Sequence, residues 1–324
     1  MFNQMSRFGL VVMRGSTVYQ VQAVFQEVNA IGTSKHEAKE EARAEGAQTW
    51  HQIGKELGVY SYSTADSYRD VWRSCLDYAK ENANIRDIEK LSGEAVRAFL
   101  ESKIEQGVAR STFGQYAAAA EKLEVALNRY AEKHGSGREY SFSRDIQEAR
   151  QAASGLAKFE GSRAYQNPDR LVSSVGSGQH NLAAALQREG GARISEINHV
   201  TKDQLRGLRA DPHSGVVKGW IHVEGKGGKE REVGVSPGTY ARLSAEVAGG
   251  TRFEFDKNAY RADLKEAAVR TGQSYEGSHG LRWSWAQERH SELQQFGMTY
   301  DQSLTEVSRE MGHERGDITE HYLR

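Results

Sequence analysis

Cysteine and proline are scarce in this sequence, and long apolar runs are missing. One cysteine, Cys75, stands among 324 residues, which excludes an internal disulfide framework and a cysteine-based zinc site. No apolar run approaches the roughly 18 residues of a transmembrane helix. The apolar part of the opening stretch MFNQMSRFGLVVMRGS is too short for a signal peptide. These absences predict a protein of the reducing cytoplasm with no membrane partner.

Signals for a metal site and for nucleotide hydrolysis are also missing. His279 and His313 lie far apart and lack the carboxylate or cysteine partners of a metal site. The glycine-rich stretch at 225–228 is not followed by the Gly-Lys-Ser/Thr and helix of a phosphate-binding loop. We therefore expect no metal and no cofactor.

Charge of either sign is not in excess. The 43 Lys and Arg residues nearly balance the 44 Asp and Glu residues, for a formal net charge of −1. A nucleic-acid-binding protein usually has a basic face, but net charge is a sum and does not report which face the cations occupy. Binding to nucleic acid therefore requires a segregated surface, with basic residues on one concave face.

The length predicts about two domains. Residues 1–44 form an N-terminal helical segment, for which a packing or oligomerisation role is favoured. Residues 45–155 form a helical domain, 156–167 a linker that ends before Pro168, and 168–324 a second domain. The fold class predicted from these patterns is mainly α with a small β-sheet (α+β).

Helix signals in the first half are periodic apolar residues and capping residues. Val18, Val21, Phe25 and Val28 fit one short amphipathic helix, and Ser34 with Glu37 opens a second. Ser63 and Asp66 are predicted to cap a third helix, which buries Val71, Trp72, Cys75, Leu76 and Ala79. Ser92 is predicted to cap a fourth helix, which ends at Gly107. An alanine-rich helix is predicted from about 109 to Gly135.

The second half mixes helices with one hairpin. Ile221 and Val223 alternate before a glycine-rich turn, and Val233 and Val235 alternate after it, which predicts two strands. The strands are expected near 216–224 and 230–235. Helices are expected at 178–188, 193–199, 237–247, 257–271, 279–292 and 303–311.

Four residues near the end of the sequence form a pattern that packing does not explain. His279 and Arg282 stand at i and i+3, so they share one face of a helix. His313 follows Gly312, which predicts a turn at a helix end, and Tyr322 comes soon after. Two imidazoles and a guanidinium can donate to an anionic oxygen, and a phenol beside them can act as a nucleophile. Taken singly, a solvated helix face and a docking aromatic are the alternatives.

Upstream residues complete the set. GGARISEI places Arg193 at a glycine-rich entry into a helix, with Glu196 one turn later. Lys226 stands in the hairpin turn GKGGK, with Lys229 as the alternative lysine. Arg, Lys, His-x-x-Arg, His and Tyr in this order, over 190–324, resemble the tyrosine recombinase (phage integrase) family.

The resemblance implies an architecture and a function. It implies a helical core-binding domain and a catalytic domain of the DNA breaking-rejoining type, which together form a C-shaped clamp around DNA. The implied function is site-specific recombination for integration or excision of a mobile element, by a bacterial or phage-encoded protein. The implied partners are double-stranded DNA with specific recombination sites, a homo-tetramer on DNA that is a monomer or dimer in solution, and an accessory directionality factor.

The resemblance also implies a role for each residue. Arg193, Arg282 and His313 would bind the phosphate, and Tyr322 would attack phosphorus and form a 3′-phosphotyrosine. His279 is the candidate base and Lys226, or alternatively Lys229, the candidate acid, while Glu196 would orient Arg193. No metal or ATP is then required. Candidate DNA contacts at the start of the alanine-rich helix are Arg110, Ser111, Thr112 and Gln115, joined by Lys229; Ser111 or Thr112 could instead cap that helix.

The pattern departs from the family in three places. GGAR replaces the more usual Thr/Ser-Gly-x-Arg, the interval from Arg282 to His313 is long, and the sequence ends two residues after Tyr322. The last point predicts that protomers couple without a docked tail helix. Two alternatives stay open: a type IB topoisomerase-like or telomere-resolving enzyme, and a non-catalytic DNA-binding protein of the same fold.

Overall fold

The computed structural model describes residues 15–225, 228–313 and 316–324. It divides into two compact units, of which the first ends at Phe159 and the second begins at Glu160. The described chain is mainly helical with one three-stranded sheet, which confirms the predicted fold class. None of the described helices combines the length and apolar character that crossing a bilayer requires.

The first unit is built from helices. Their bounds are α1 Thr17–Phe25, α2 Lys35–Ala44, α3 Trp50–Glu56, α4 Tyr62–Ala83, α5 Gly93–Glu105, α6 Arg110–Lys133 and α7 Ser143–Ala152. Small side chains on α6 let its neighbours approach closely, and Trp72 of α4 donates its indole N–H to the carbonyl of Ala119 at 2.7 Å. Val21 and Phe25 of α1 lie in the same core. The N-terminal helix therefore packs as part of this unit.

Most helix signals of the first unit are confirmed, with three corrections. Ser34 and Ser92 cap α2 and α5 as predicted. The cap of α4 is Ser61, whose hydroxyl accepts the backbone N–H of Thr64, so the predicted cap at Ser63 and Asp66 is wrong by two residues.

Val18 and the start of α6 supply the other two corrections. Val18 is 57% exposed, because the buried stripe of α1 runs through Val21, Val24 and Phe25 instead. The N-cap of α6 is Ala109, without a side-chain cap bond. The alternative that Ser111 or Thr112 caps α6 is therefore wrong, and both residues lie within its first turn.

The second unit mixes helices with the sheet. Its elements are α8 Pro168–Ser173, α9 Gly178–Gly190, β1 Leu205–Ala210, β2 Val217–Glu224, β3 Glu230–Val235, α10 Pro237–Glu246, α11 Lys257–Thr271, α12 Gly277–Gln295, α13 Tyr300–Glu310 and α14 Gly316–Glu320. Tyr165, inside the predicted linker, is buried in this unit and donates its hydroxyl to the carbonyl of Gly277 at 3.0 Å.

The sheet is antiparallel in the order β1-β2-β3. Ile221 pairs with Val233, and the alternating valines and isoleucine face a core shared with Leu186 and Leu243. The two predicted strands are confirmed. Strand β1 escaped the sequence analysis because its residues are largely exposed and its register is irregular between Leu205 and Leu208.

The predicted helix at 193–199 is wrong. Gly191 ends α9 in the left-handed conformation at φ 61°, and only one turn follows, closed by Glu196 N–H to the Arg193 carbonyl at 2.9 Å. His199 then adopts φ 77°, and its N–H bonds to the Phe253 carbonyl. These bonds direct the chain into an extended bridge at Val200 instead of a helix.

The close contact between β2 and α10 gives the first prediction. A Cβ on buried Gly219 would lie 2.2 Å from Cγ of Tyr240, so Gly219→Ala must displace the ring. We expect the free energy of unfolding, measured by urea denaturation, to fall by about 1–3 kcal/mol. Gly238→Ala is the control, because its Cβ would meet nothing closer than 4.0 Å. Equal midpoints for the two variants would contradict this packing.

Candidate active site

Five of the six predicted catalytic residues lie in the described part of the second unit, and four of them are linked by direct contacts. His279 and Arg282 stand on the first turns of α12, His313 follows α13, and Tyr322 lies in the final turn. His279 Nε2 is 3.0 Å from the Tyr322 hydroxyl, and Arg282 Nη2 is 3.4 Å from His313 Nε2. The sixth residue, Lys226, lies outside the described residues.

Arg282 is fully buried. Its Nη1 donates to the carbonyl of Gly191, and its Nη2 donates to the carbonyl of Met311 at 2.7 Å. Its Nε has no hydrogen-bond partner among the described residues. Burial and the nearby charges of Arg193 and Arg231 lower the pKa of Arg282 to about 9, which leaves the guanidinium charged at neutral pH.

Arg193 lies in the loop after α9 and contacts Glu196. Its backbone N–H and its Nη1 each donate to the Glu196 carboxylate at 2.6 Å. The contact predicted between these two residues is therefore present, although a turn and not a helix provides it. The Arg193 side chain is 27% exposed, whereas that of Glu196 is 1% exposed.

Arg231 was missed by the sequence analysis and belongs to this group. Its Nη1 and Nη2 donate to the two Glu196 oxygens at 2.9 and 2.6 Å. Burial would raise the pKa of Glu196, but the hydrogen bonds and charge of Arg231, with those of Arg193, outweigh burial and lower that pKa to about 2. A signal existed in the sequence. Arg231 stands two residues before Val233 on β3 and so shares its inward face.

His313 is oriented by a chain of hydroxyl groups. Gly312 turns the chain at φ 68°, and His313 Nδ1 lies 2.8 Å from the hydroxyl of buried Thr319. Ser308 donates to that same hydroxyl oxygen at 2.7 Å, so Thr319 joins His313 to α13. On the other side of the ring, Nε2 lies 3.4 Å from Arg282 Nη2, so both ring nitrogens contact neighbouring polar groups.

His279 and Tyr322 form a second pair. Burial, with the charges of Arg282 and Arg193, lowers the pKa of His279 to about 4, and the same causes lower the pKa of His313 to about 4. A neutral His279 can accept the phenolic proton through Nε2. Gln287 of α12 donates to the Tyr322 carbonyl at 3.0 Å, and the tyrosine ring packs on Trp283.

The combined charge of this group suits an anion. Arg193, Arg231 and Arg282 carry three positive charges, and Glu196 carries one negative charge. The histidines remain neutral donors or acceptors at pH 7. A tetrahedral anion with several oxygens could take hydrogen bonds from guanidinium and imidazole groups, next to a phenol positioned by a neutral imidazole.

The residues predicted to contact DNA lie outside the candidate active site, on α6 and next to β3. Arg110, Ser111, Thr112 and Gln115 occupy the first two turns of α6 in the first unit, and Ser111 and Gln115 are exposed. Arg110 Nη1 donates to the Ser154 carbonyl at 3.1 Å. Lys229 is exposed just before β3, where its carbonyl accepts the Gly225 N–H at 2.6 Å.

Among the described residues, one group has side chains that could reach a metal ion. His213, Glu306 and Glu310 have ligand atoms within 4.8 Å of one another. The carboxylates are already paired, Glu306 with Arg309 and Glu310 with Arg289. Ion pairs therefore account for this cluster, which shares no residue with the candidate active site.

No protein-family model matches the sequence, and no curated protein matches it significantly. The chain is similar to the XerH site-specific recombinase bound to difH substrate in a pre-cleavage complex, with a TM-score of 0.61 and 15% identity over 97% of this chain and 95% of that chain. Its similarity to XerH in a post-cleavage complex with palindromic difH has a TM-score of 0.60, at 14% identity over 97% and 94%.

A second recombination protein has the same fold. The Tn1549 transposon integrase in complex with transposon right end DNA has a TM-score of 0.56 at 12% identity, over 93% of this chain and 94% of that chain. The chain has the tyrosine recombinase fold. At these identities the similarity establishes the fold alone. The reaction must be inferred from the residues of the candidate active site.

The lowered pKa values of His279 and His313 predict how stability changes with pH. Each folded-state pKa of about 4 lies below the unfolded value of about 6.5. As pH falls from about 6.5 to about 4, the unfolded chain takes up protons that the folded chain does not, so stability falls across this window. Urea midpoints at several pH values measure the slope.

A matched pair of variants assigns that slope. His279→Asn combined with His313→Asn should reduce the loss of stability on acidification. His36→Gln, which changes an exposed histidine on α2, should leave it unchanged. An identical slope in all three proteins would show that the two site histidines are not the groups responsible.

Proposed function

We propose that this chain is a site-specific DNA recombinase or integrase that cuts and rejoins DNA strands through Tyr322. One observation carries the proposal: two arginines, the partly exposed Arg193 and the buried Arg282, lie with the neutral His313 beside a tyrosine whose hydroxyl is 3.0 Å from a neutral imidazole. An isolated docking tyrosine does not require a neutral base or three donors for an anion.

The proposed first step exchanges one phosphate ester for another. The Tyr322 oxygen attacks the phosphorus, and His279 Nε2 takes the phenolic proton. The bond to the 5′ oxygen breaks, and that oxygen takes a proton from Lys226 or, as the alternative, Lys229. The products are a 3′-phosphotyrosine and a 5′-hydroxyl. Because the ester bond is retained, a second 5′-hydroxyl can reverse the step and join a strand.

The transition state carries added negative charge on the non-bridging oxygens. Arg193 and Arg282 are proposed to stabilise that charge with planar groups that are protonated at neutral pH, and His313 is proposed to donate through Nε2. Fixed donors of this kind each contribute about 100- to 1,000-fold in rate. We propose that these groups act without a metal ion or ATP.

The proposed partner is double-stranded DNA that carries specific recombination sites. The DNA complexes of XerH and the Tn1549 integrase support this partner, as does the exposed start of α6. We further propose a tetramer on two duplexes, which is a monomer or dimer in solution, and an accessory directionality factor. The proposed compartment is the cytoplasm of a bacterium.

A plasmid with two cognate sites tests the reaction type. Inversion or excision of the intervening DNA is expected for a recombinase. Relaxation of supercoils without exchange would instead indicate a topoisomerase of the same fold, and binding without strand cleavage would indicate a DNA-binding protein.

Tyr322→Phe tests the proposed nucleophile. The change removes one oxygen and keeps the ring that packs on Trp283, so DNA binding should stay within about twofold, whereas the covalent adduct should disappear. A nicked substrate traps the adduct, because the short cut strand diffuses away and cannot rejoin. The measurement is a protein–DNA band on a denaturing gel, made in the presence of EDTA.

Arg282→Lys provides the contrasting variant. The charge remains, but the fork that reaches two carbonyls is lost, so cleavage should slow by about 100-fold or more while Tyr322 stays competent. Thermal melting verifies that the variant is folded. An undiminished band from Tyr322→Phe, or a strict requirement for a divalent metal, would falsify the proposed chemistry.

Charge placement predicts a salt dependence. If the Lys and Arg side chains around α6 and the site bind phosphates, DNA affinity should fall steeply as salt rises from about 50 to 200 mM, because bound counterions are released. Arg110→Ala should lower affinity and reduce the salt slope by about one. Fluorescence anisotropy with a labelled duplex measures both quantities, and a flat response would contradict phosphate binding by this surface.

A further inference from the structure

Arg231 of β3 has no assigned role in the proposed reaction, yet it is among the most highly bonded side chains near the site. Its side chain is 9% exposed. The two terminal nitrogens donate to the two oxygens of Glu196, and Nε donates to the carbonyl of Glu310 at 2.9 Å. All three nitrogens therefore already bond within the protein.

Arg231 affects the charge balance of Arg193 through the Glu196 carboxylate, which both arginines contact. The Glu196 carboxylate is buried, and both arginines share it. If Glu196 were paired with Arg193 alone, the pair would be neutral and the carboxylate would compete with any phosphate for the Arg193 guanidinium. With Arg231 present, the three groups carry one net positive charge, and Arg193 keeps a charge with which to bind an anion.

The same side chain joins three segments of the second unit. The Glu310 carbonyl lies at the end of α13, shortly before His313, and Gly312 lies against the Arg231 side chain, with a hypothetical Cβ 3.5 Å from its Cδ. At the β2–β3 turn, a Cβ on Gly225 would lie 3.0 Å from Glu196 Oε1 and 3.4 Å from Arg231 Nη1. The pair thus lies directly under the segment that leads to Lys226.

We propose that Arg231 is a positioning residue that neutralises Glu196, keeps the charge of Arg193 available for the scissile phosphate, and fixes the turn before His313. This inference rests on the proposed function and deepens it. It requires arginine specifically, because a planar fork can bond both carboxylate oxygens while Nε reaches a third acceptor, and a lysine ammonium cannot reproduce that geometry.

The test compares cleavage rates of four proteins on the nicked substrate under single-turnover conditions. They are the parent, Arg231→Met, Glu196→Gln, and the double variant E196Q/R231M. We expect Arg231→Met to cleave at least about 30-fold more slowly with little change in DNA affinity, because its unpaired carboxylate captures Arg193. The double variant removes that carboxylate charge and should cleave at least about tenfold faster than Arg231→Met alone.

Removal of the unpaired carboxylate is expected to restore stability as well as rate. The cleavage rates are therefore compared at a temperature at which thermal melting shows every variant to be folded. Arg209→Met is the matched control in the same sheet, since Arg209 is 46% exposed and pairs with Glu232 at the surface. It should cleave at the parental rate.

Two outcomes overturn the inference: Arg231→Met cleaves within threefold of the parent, or the double variant is as slow as Arg231→Met. If Arg231→Met fails to fold by thermal melting, Arg231→Lys decides instead. A rate at least about tenfold below the parent then supports the inference, and the parental rate overturns it. Failure of the proposed function is distinguishable, because the parent itself would then give no covalent adduct.

Discussion

The burial of the Arg282 guanidinium is the interaction on which the candidate active site depends. Removing a cation from water costs several kcal/mol unless its donors find acceptors. Arg282 finds them at two helix ends, the Gly191 carbonyl after α9 and the Met311 carbonyl after α13. Helix C-termini leave carbonyls unpaired and carry partial negative charge. One side chain of α12 therefore caps two other helices and brings the Arg193 loop and the His313 turn together.

This arrangement brings several guanidinium groups close together, and one carboxylate partly neutralises their positive charge. Glu196 lies between Arg193 and Arg231, and its pKa is lowered to about 2, so it stays ionised throughout the physiological range. Burial, together with the uncompensated positive charge, lowers the pKa of both His279 and His313. The imidazoles are consequently neutral at pH 7, so His279 Nε2 can accept a proton from the Tyr322 phenol. The two histidines differ in their hydrogen-bond partners, because His279 contacts Tyr322 whereas His313 contacts Thr319 and Arg282.

Local rules located many of the helices and strands in both units. Ser92 caps α5 as its position predicts, and the alternation of Ile221 and Val223 predicts β2. Local rules failed where side chains redirect the backbone. The stretch after Arg193 has a helical residue pattern, but the left-handed Gly191 and the distant Phe253 carbonyl, which accepts the His199 N–H, turn it away from a helix. Arg231 was overlooked because a charged residue on a strand is usually exposed, and only its buried partner explains its inward position.

The sequence by itself determined the fold class, the caps of α2 and α5, and the ordered set from Arg193 to Tyr322, because these depend on residue type and on spacing along the chain. The tertiary structure decided which distant residues come into contact, which spacing along the chain does not specify. It placed Tyr322 against His279, gave Arg282 two carbonyls at helix ends, and put Arg231 on the far side of Glu196. These contacts join residues that are far apart in the chain. Their free energies depend on burial and on which charged groups folding places next to each other.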